Sequence, residues 1–137
     1  MNEATTIGAH RLLLEGDMMR VVFQGLASLP EAQAIMATVT RWSEERSEVQ
    51  YLVYDTRRLL PFEPDVKRWA MKGFRSPPLR GVLVVGANPT LRIMMTAVLK
   101  ALELVRQKAQ RPILFMKTEA EALDWIEADR KKNRGGN

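Results

Sequence analysis

The stretch VQYLVYDTRRLLPFEPDV, residues 49–66, decides the fold of this chain. A short apolar and β-branched run ends at Asp55, a basic pair follows at Arg57 and Arg58, and a loop bounded by prolines leads into a short helix. Such a run is typical of a strand that is buried on both faces of a parallel sheet. Open α/β sheets bind ligands beyond the carboxyl ends of their parallel strands. We therefore expect the functional surface to lie at the end of this strand.

The sequence before this strand predicts a hairpin. HRLLLE and MMRVVF flank Gly16 and Asp17, a dipeptide typical of a tight turn between antiparallel strands, so we expect strands near residues 10–15 and 18–24. Residues 1–9 show no comparable pattern and are expected to form a flexible lead-in.

Helices and further strands alternate in the rest of the chain. The S-x-x-E pattern of Ser28 and Glu31 is a capping box that opens a helix reaching to about residue 46. The later elements are a short helix after Pro64, the strand GVLVVG, a helix at residues 89–110 capped by Asn88, the strand ILFM, and a helix opened by the Thr118–Glu121 capping box.

The resulting order, β-β-α-β-α-β-α-β-α, predicts an α/β fold. Alternating strands and helices require right-handed parallel crossovers, here preceded by one antiparallel strand. We expect a five-stranded mixed, mostly parallel sheet with four helices, in which an N-terminal antiparallel hairpin precedes repeated βαβ units. One domain should cover residues 10–130, and the basic segment 131–137 is expected to be a disordered tail.

The chain is not expected to be an enzyme. It has no cysteine, and its single histidine, His10, has no patterned acid or nucleophile beside it, so we expect a surface histidine. No ligand spacing typical of a metal site occurs, and GANPT lacks the glycine spacing of a phosphate loop. We expect no catalytic residue, no metal and no cofactor.

The lack of cysteine fits a cytoplasmic setting, and no apolar stretch is long enough to span a membrane.

Basic charge is concentrated in the part of the sequence that follows the central strand. The net charge is +5, and residues 55–80 hold seven basic and three acidic side chains, which is nearly the whole surplus. Because opposite charges steer association, an acidic protein is the expected partner. The residues predicted to bind it are Asp55, Arg57, Arg58, Asp65, Lys67, Arg68, Lys72 and Arg75. Nucleic acid ranks lower, since no nucleic-acid motif accompanies the charge.

The helix predicted at residues 89–110 carries more apolar surface than one core contact requires. Its apolar arc exceeds half the circumference, whereas a stripe of about 100° is enough for a surface helix. The surplus indicates a homodimer contact or a site for a lipid or another small molecule, and deep packing against neighbouring helices explains it equally well. The residues predicted for this face are Ile93, Met94 and Leu99.

Four features together resemble the STAS domain, in particular its SpoIIAA-like branch. They are the opening hairpin, the strand YLVYD followed by TRRL, the strand RGVLVVG, and the closing strand and helix in ILFMKTEAEALDWIE. The resemblance covers roughly residues 10–130. It implies a domain that acts through contacts with other proteins.

The resemblance also implies a phosphorylation site that regulates binding, and this chain lacks the residue for it. Anti-sigma factor antagonists of the family carry a phosphorylatable serine at the start of the helix after the third strand, whereas LLPFEPDVKRW contains no serine or threonine. Asp65 stands near that helix start, either as a permanent negative charge or as a helix cap. A kinase-operated switch is therefore not expected.

Two alternatives belong to other functional classes. In a receiver-like domain, Asp55 and Lys117 would be the phosphoacceptor and its lysine, but the acidic pair that binds magnesium is missing, because its place reads FQGLAS. The stronger alternative is a small-molecule or lipid-binding module on the helix at residues 89–110. The function that the sequence favours over both alternatives is that of a non-enzymatic regulatory or adaptor domain, which binds a protein through the edge after the third strand.

Overall fold

The computed structural model describes residues 2–72, 79–106 and 113–135, and the side chains in these ranges except those of residues 98–106 and 135. Strands and helices alternate along these ranges as the sequence predicts. The elements are β1 (Asn2–Ile7), β2 (His10–Glu15), β3 (Met18–Val22), α1 (Leu29–Glu45), β4 (Tyr51–Asp55), α2 (Pro64–Met71), β5 (Gly81–Val85), α3 (Pro89–Arg106), β6 (Ile113–Met116) and α4 (Glu119–Gly135).

All the strands form one mixed sheet in the order β1-β2-β3-β4-β5-β6. The β1–β2 and β2–β3 pairs are antiparallel, and the remaining pairs are parallel. The predicted fold class, an α/β domain with a mixed sheet and four helices, is therefore confirmed. The predicted number of strands is wrong, because the sheet has six strands rather than five.

β1 is the additional strand, and it lies where the sequence predicts a flexible lead-in. Five of its six side chains are exposed, so no alternation of apolar residues indicates it in the sequence. It joins β2 through a tight turn in which Gly8 has φ +60°. A β-carbon at this position would overlap the Glu31 carboxylate, so glycine allows the start of α1 to approach the turn.

The helices cover both faces of the sheet. Right-handed crossovers between consecutive parallel strands place α1, α2 and α3 on one face. Trp42 and Ile35 of α1 pack there against Leu52, within one core cluster. On the opposite face α4 packs against Tyr51 and Leu83 through Ile126. No helix in the described ranges is long and apolar enough to cross a bilayer.

The ends of the helices follow local sequence signals. In the predicted capping box, Ser28 Oγ accepts the Glu31 N–H at 3.3 Å and the Glu31 carboxylate accepts the Ser28 N–H at 3.0 Å. Asn88 caps α3 by accepting the Leu91 N–H at 2.8 Å, and the predicted end of this helix at residue 110 lies outside the described residues. α4 continues to Gly135, through most of the segment predicted to be a disordered tail.

Candidate docking surface

Two loops at the carboxyl ends of β3 and β4 extend the parallel pairing of these strands. The Gly25 N–H donates to the Arg58 carbonyl at 2.8 Å, and the Leu60 N–H donates to the Gly25 carbonyl at 3.0 Å. Gly25 forms an isolated parallel bridge with Leu59. Because backbone hydrogen bonds join the two loops, the side chains that project from them have fixed relative positions.

Asp55 and Arg57 form the principal ion pair of this edge. Asp55 Oδ1 accepts hydrogen bonds from Arg57 Nε at 2.9 Å and from the Arg57 N–H at 3.1 Å, and Oδ2 accepts one from Nη2 at 2.6 Å. These bonds from Arg57 lower the pKa of Asp55 against the opposing effect of burial, and they raise the pKa of Arg57. The Asp55 side chain is 12% exposed and that of Arg57 is 51% exposed. Asp55 therefore orders the loop, while one side of the guanidinium stays open to solvent.

Neighbouring backbone holds the same loop against β5. Thr56 Oγ1 donates to the Val85 carbonyl at 2.8 Å, and the Thr56 N–H donates to the same oxygen at 2.9 Å. Gly86 follows with φ +77°, and a β-carbon there would overlap Arg57 Cγ. Glycine at position 86 thus meets two requirements, a left-handed backbone and space for the Arg57 side chain.

These loops carry two exposed leucines that the sequence analysis does not select. Leu26 is 45% exposed and Leu60 is 54% exposed. Each directly follows one residue of the Gly25–Leu59 bridge, so we infer that they lie near each other. The only sequence signal for Leu60 is its position directly behind the basic pair. We define the docking surface as Leu26, Arg57, Arg58, Leu60 and Lys67.

The predicted partner-binding residues divide between this surface and α2. Arg58 is exposed in the loop, and Lys67 lines a recess of about 30 Å³ together with Leu60 and Asn88. Asp65, in the first turn of α2, is exposed and its Oδ1 accepts the Val66 N–H at 2.7 Å.

Two of the predicted partner-binding residues, Arg68 and Lys72, lie farther along α2 from the carboxyl edge of the sheet. Arg68 and Lys72 are exposed, but α2 leads back toward the amino ends of the strands. At 1.5 Å per residue, its eight residues place Lys72 about 12 Å from Pro64 along the axis. Arg75 lies outside the described residues. Arg57 and Arg58 thus share one loop and Lys67 lines the recess beside Leu60, whereas Lys72 lies at the far end of α2.

An apolar cavity lies beneath the docking surface, between the sheet and helices α1, α2 and α3. Its volume is about 130 Å³. Tyr54 and Val82 of the sheet, Ile35 of α1, Val66 of α2 and Met95 of α3 are among the residues that line it. We call this space the apolar cavity.

Of the residues predicted for a second apolar face of α3, two have described side chains, and these two differ in exposure. Met94 is half-buried and lines the apolar cavity, whereas Ile93 is 72% exposed. Leu99 lies in α3, in the part of the helix whose side chains are outside the described set. The two described residues therefore serve different surfaces.

His10 is completely buried, so its predicted position on the surface is wrong. Its Nδ1 accepts the Gln24 N–H at 3.0 Å, and its Nε2 lies 3.4 Å from the Glu31 carboxylate. The Phe23 ring meets the imidazole edge-to-face at 5.5 Å between centroids. The histidine thus joins β2 to the ends of β3 and α1. The pKa of Glu31 is lowered, mainly by the hydrogen bond from the Ser28 backbone and further by His10.

The aspartate that a receiver-like site would phosphorylate has a structural partner instead. Asp55 makes its ion pair with Arg57. Among the described residues, no group of three or more histidine, aspartate or glutamate side chains is arranged to hold a metal ion.

Comparison with known proteins gives a match in structure. No family model matches the sequence, and no curated protein matches it. A solved structure of the anti-sigma factor antagonist SpoIIAA in its unphosphorylated form is similar, with 16% sequence identity and a TM-score of 0.55. The similarity covers 87% of this chain and 98% of that chain. The chain therefore has the α/β fold of SpoIIAA, with a six-stranded mixed sheet and four helices.

Proposed function

We propose that this chain is a non-enzymatic regulatory domain that binds an acidic segment of a partner protein through the docking surface. The observation that carries the proposal is the neighbouring pair of exposed leucines, Leu26 and Leu60, beside Arg57 and Arg58. Protein interfaces combine a small apolar centre with a charged rim, and this group has both components. The solved protein of the same fold is an anti-sigma factor antagonist, which supports a regulatory role.

The loops that carry the docking surface are already ordered, so a partner can bind with little rearrangement of them. Hydrogen bonds between the two loops fix Leu60 relative to Gly25, and the Asp55 carboxylate fixes the Arg57 side chain. Ordering loops and side chains on binding costs free energy, so a preformed surface retains more of its contact energy as affinity. The exposed Arg58 and Lys67 add attraction to an acidic partner, mainly through a faster association rate.

The proposed regulation does not require a kinase. Residues 59–69, which lead into and begin α2, hold no serine or threonine, and the exposed carboxylate of Asp65 lies in the first turn of that helix. We propose that this carboxylate supplies constant negative charge beside the docking surface. Control would then come from the availability of the partner.

The test compares protein capture by the wild-type chain with capture by two double variants. Arg58→Glu/Lys67→Glu reverses two charges of the docking surface, and Leu26→Ser/Leu60→Ser removes its apolar pair. Arg57 stays unchanged because its loss would also leave the buried Asp55 without its partner. We expect one partner, identified by quantitative mass spectrometry and then purified, to lose at least about tenfold in affinity with each variant.

Matched controls separate the docking surface from general charge and apolarity. Lys131→Glu/Lys132→Glu makes the same change of charge on α4, and Leu123→Ser removes an exposed leucine from the same helix. Both controls should retain the partner at wild-type affinity. Equal capture by all five proteins would contradict the proposal.

A further inference from the structure

The apolar cavity is large for the interior of a small domain. Protein interiors are packed about as densely as organic crystals, with few voids larger than a water molecule. The volume of about 130 Å³ is close to that of an engineered apolar cavity of about 150 Å³ in another protein, which stays free of water and binds benzene. The space therefore has the size of one six-membered ring.

The lining of the apolar cavity excludes water as the natural occupant. A stable buried water needs two to four polar partners. The walls are formed mainly by aliphatic, methionine and aromatic side chains, such as Val82, Ile113 and Met95. The ligand must therefore bring an apolar body.

Tyr54, Thr56 and Lys67 are polar residues that line the cavity. Thr56 Oγ1 donates to the Val85 carbonyl, so Tyr54 and Lys67 are the groups that we expect to face a ligand. Tyr54 lines the cavity, and its hydroxyl donates to Met36 Sδ at 3.3 Å. Sulfur is a weak acceptor, so an oxygen atom of a ligand would be a stronger partner for this hydroxyl. Burial also raises the pKa of this phenol, so that it remains a donor. Lys67 is an exposed residue that lines the cavity and also the adjoining recess near Asn88, so it places positive charge at the opening.

We propose that the apolar cavity binds a small carboxylic acid whose body is a single ring or a branched chain of about the same size. The body fills the space between Val82, Ile35 and Met95, and the carboxylate lies at the opening near Lys67. Methionine side chains on α1 and α3 adapt to the shape of the ring, because they are flexible and polarisable. This site shares Lys67 with the docking surface, whereas Leu26 and Leu60 do not line the cavity.

The test uses benzoate as the probe, with benzyl alcohol as its neutral analogue. Met36, Met94 and Met95 line the cavity, whereas Met18 belongs to the core on the opposite face of the sheet. Spectra of the full chain with ¹³C-labelled methionine methyl groups report each position. We expect saturable shifts at Met36, Met94 and Met95 with both compounds, and an unchanged Met18 resonance.

Variants assign the binding to named side chains. Lys67→Met should weaken benzoate by about threefold to fivefold, as expected for one exposed charge pair, and leave benzyl alcohol unchanged. Ala70→Leu fills the cavity from α2 and should abolish binding of both compounds, while Ala128→Leu on the exposed side of α4 should have no effect. Ala32→Leu fills the same space from α1 and replaces Ala70→Leu if that variant does not fold.

Two results would overturn the inference. One is the absence of saturable methionine shifts with either compound, and the other is unaltered binding in a folded cavity-filled variant. The Leu26→Ser/Leu60→Ser variant should bind benzoate normally, so failure of the docking proposal and failure of this one are distinguishable.

Discussion

The Tyr51 hydroxyl of β4 donates a hydrogen bond of 2.7 Å to the Asp129 carboxylate of α4. Arg80 donates to the same carboxylate through Nε at 2.8 Å and through Nη2 at 3.3 Å. Burial, together with the negative charge of Asp129, raises the pKa of Tyr51 to about 12. Asp129 thereby ties α4 to the central strand and to the residue that precedes β5.

We expect Asp129→Asn to lower the free energy of unfolding by about 1–3 kcal/mol, because it removes the charge that pairs with Arg80 and weakens the three hydrogen bonds that this mostly buried carboxylate accepts. Urea denaturation measures the change. Asp124→Asn is the matched control on an exposed position of the same helix, and it should stay within about 0.5 kcal/mol of wild type. Equal effects of the two substitutions would show that the Arg80–Asp129–Tyr51 group contributes nothing specific.

The same carboxylate predicts a dependence of stability on pH. The hydrogen bond from Arg80 lowers the pKa of Asp129 in the folded chain. Its stabilising contribution is therefore complete above the unfolded pKa of about 3.9 and is lost as the pH falls through the lower folded pKa. Between neutral and acid pH, the free energy of unfolding should decrease less in Asp129→Asn than in wild type. Parallel decreases would contradict the assignment.

Gly86→Ala should be more destabilising than Gly16→Ala. Both glycines have positive φ, but a β-carbon at position 86 would overlap Arg57 Cγ, whereas no atom lies within 4 Å at position 16. We expect about 1 kcal/mol for the backbone strain alone at Gly16, and a larger loss at Gly86. Thermal and urea denaturation measure both.

An Arg57→Ala background tests the cause of that difference. In this background the cost of Gly86→Ala should fall to that of Gly16→Ala, because the overlapping side chain is gone. An unchanged cost would assign the effect to the backbone rather than to Arg57.

The adjacent residues Leu59 and Leu60 should respond differently to the same substitution. Leu60→Ser should change the free energy of unfolding by no more than about 0.5 kcal/mol, since its side chain is largely exposed. Leu59→Ser should cost clearly more, because Leu59 packs against the core beneath the loop. Similar costs would mean that Leu60 is a structural residue and is not available to a partner.

The single histidine should exist, when neutral, as the tautomer with its proton on Nε2. Nδ1 accepts the Gln24 N–H, so it carries no proton, and Nε2 faces the Glu31 carboxylate. Long-range ¹H–¹⁵N spectra at alkaline pH distinguish the two ring nitrogens directly. A proton on Nδ1 would require a different orientation of the imidazole.

Local sequence signals were sufficient for most of the fold. The Ser28–Glu31 capping box and the apolar run ending at Asp55 each act within a few residues, and both elements lie where the sequence predicts them. β1 is not predictable in this way because its side chains bury almost nothing. The burial of His10 does have a sequence signal, because alternation along β2 places it on the same inward face as Leu12 and Leu14.

The candidate sites depend on contacts between distant parts of the chain. The neighbouring position of Leu26 and Leu60 follows from pairing between two loops, and no local pattern encodes it. The apolar cavity results from the way three helices rest on the sheet, so its volume has no counterpart in composition or periodicity. The sequence does place Arg57 and Arg58 at the carboxyl edge of the sheet, because they come directly after a central strand; their part in binding stays a prediction.

The strands lie in the sheet in the same order as in the chain, since every strand pairs with its predecessor from β1 to β6. Each new strand that leaves the ribosome therefore finds its partner already present, and no earlier strand waits for a later one to be inserted between its neighbours. Domains form from the N-terminus during synthesis, and pairing between segments close in sequence is the fastest kind. An arrest of translation after α2 should leave a four-stranded sheet whose open edge is β4, the strand that carries Asp55.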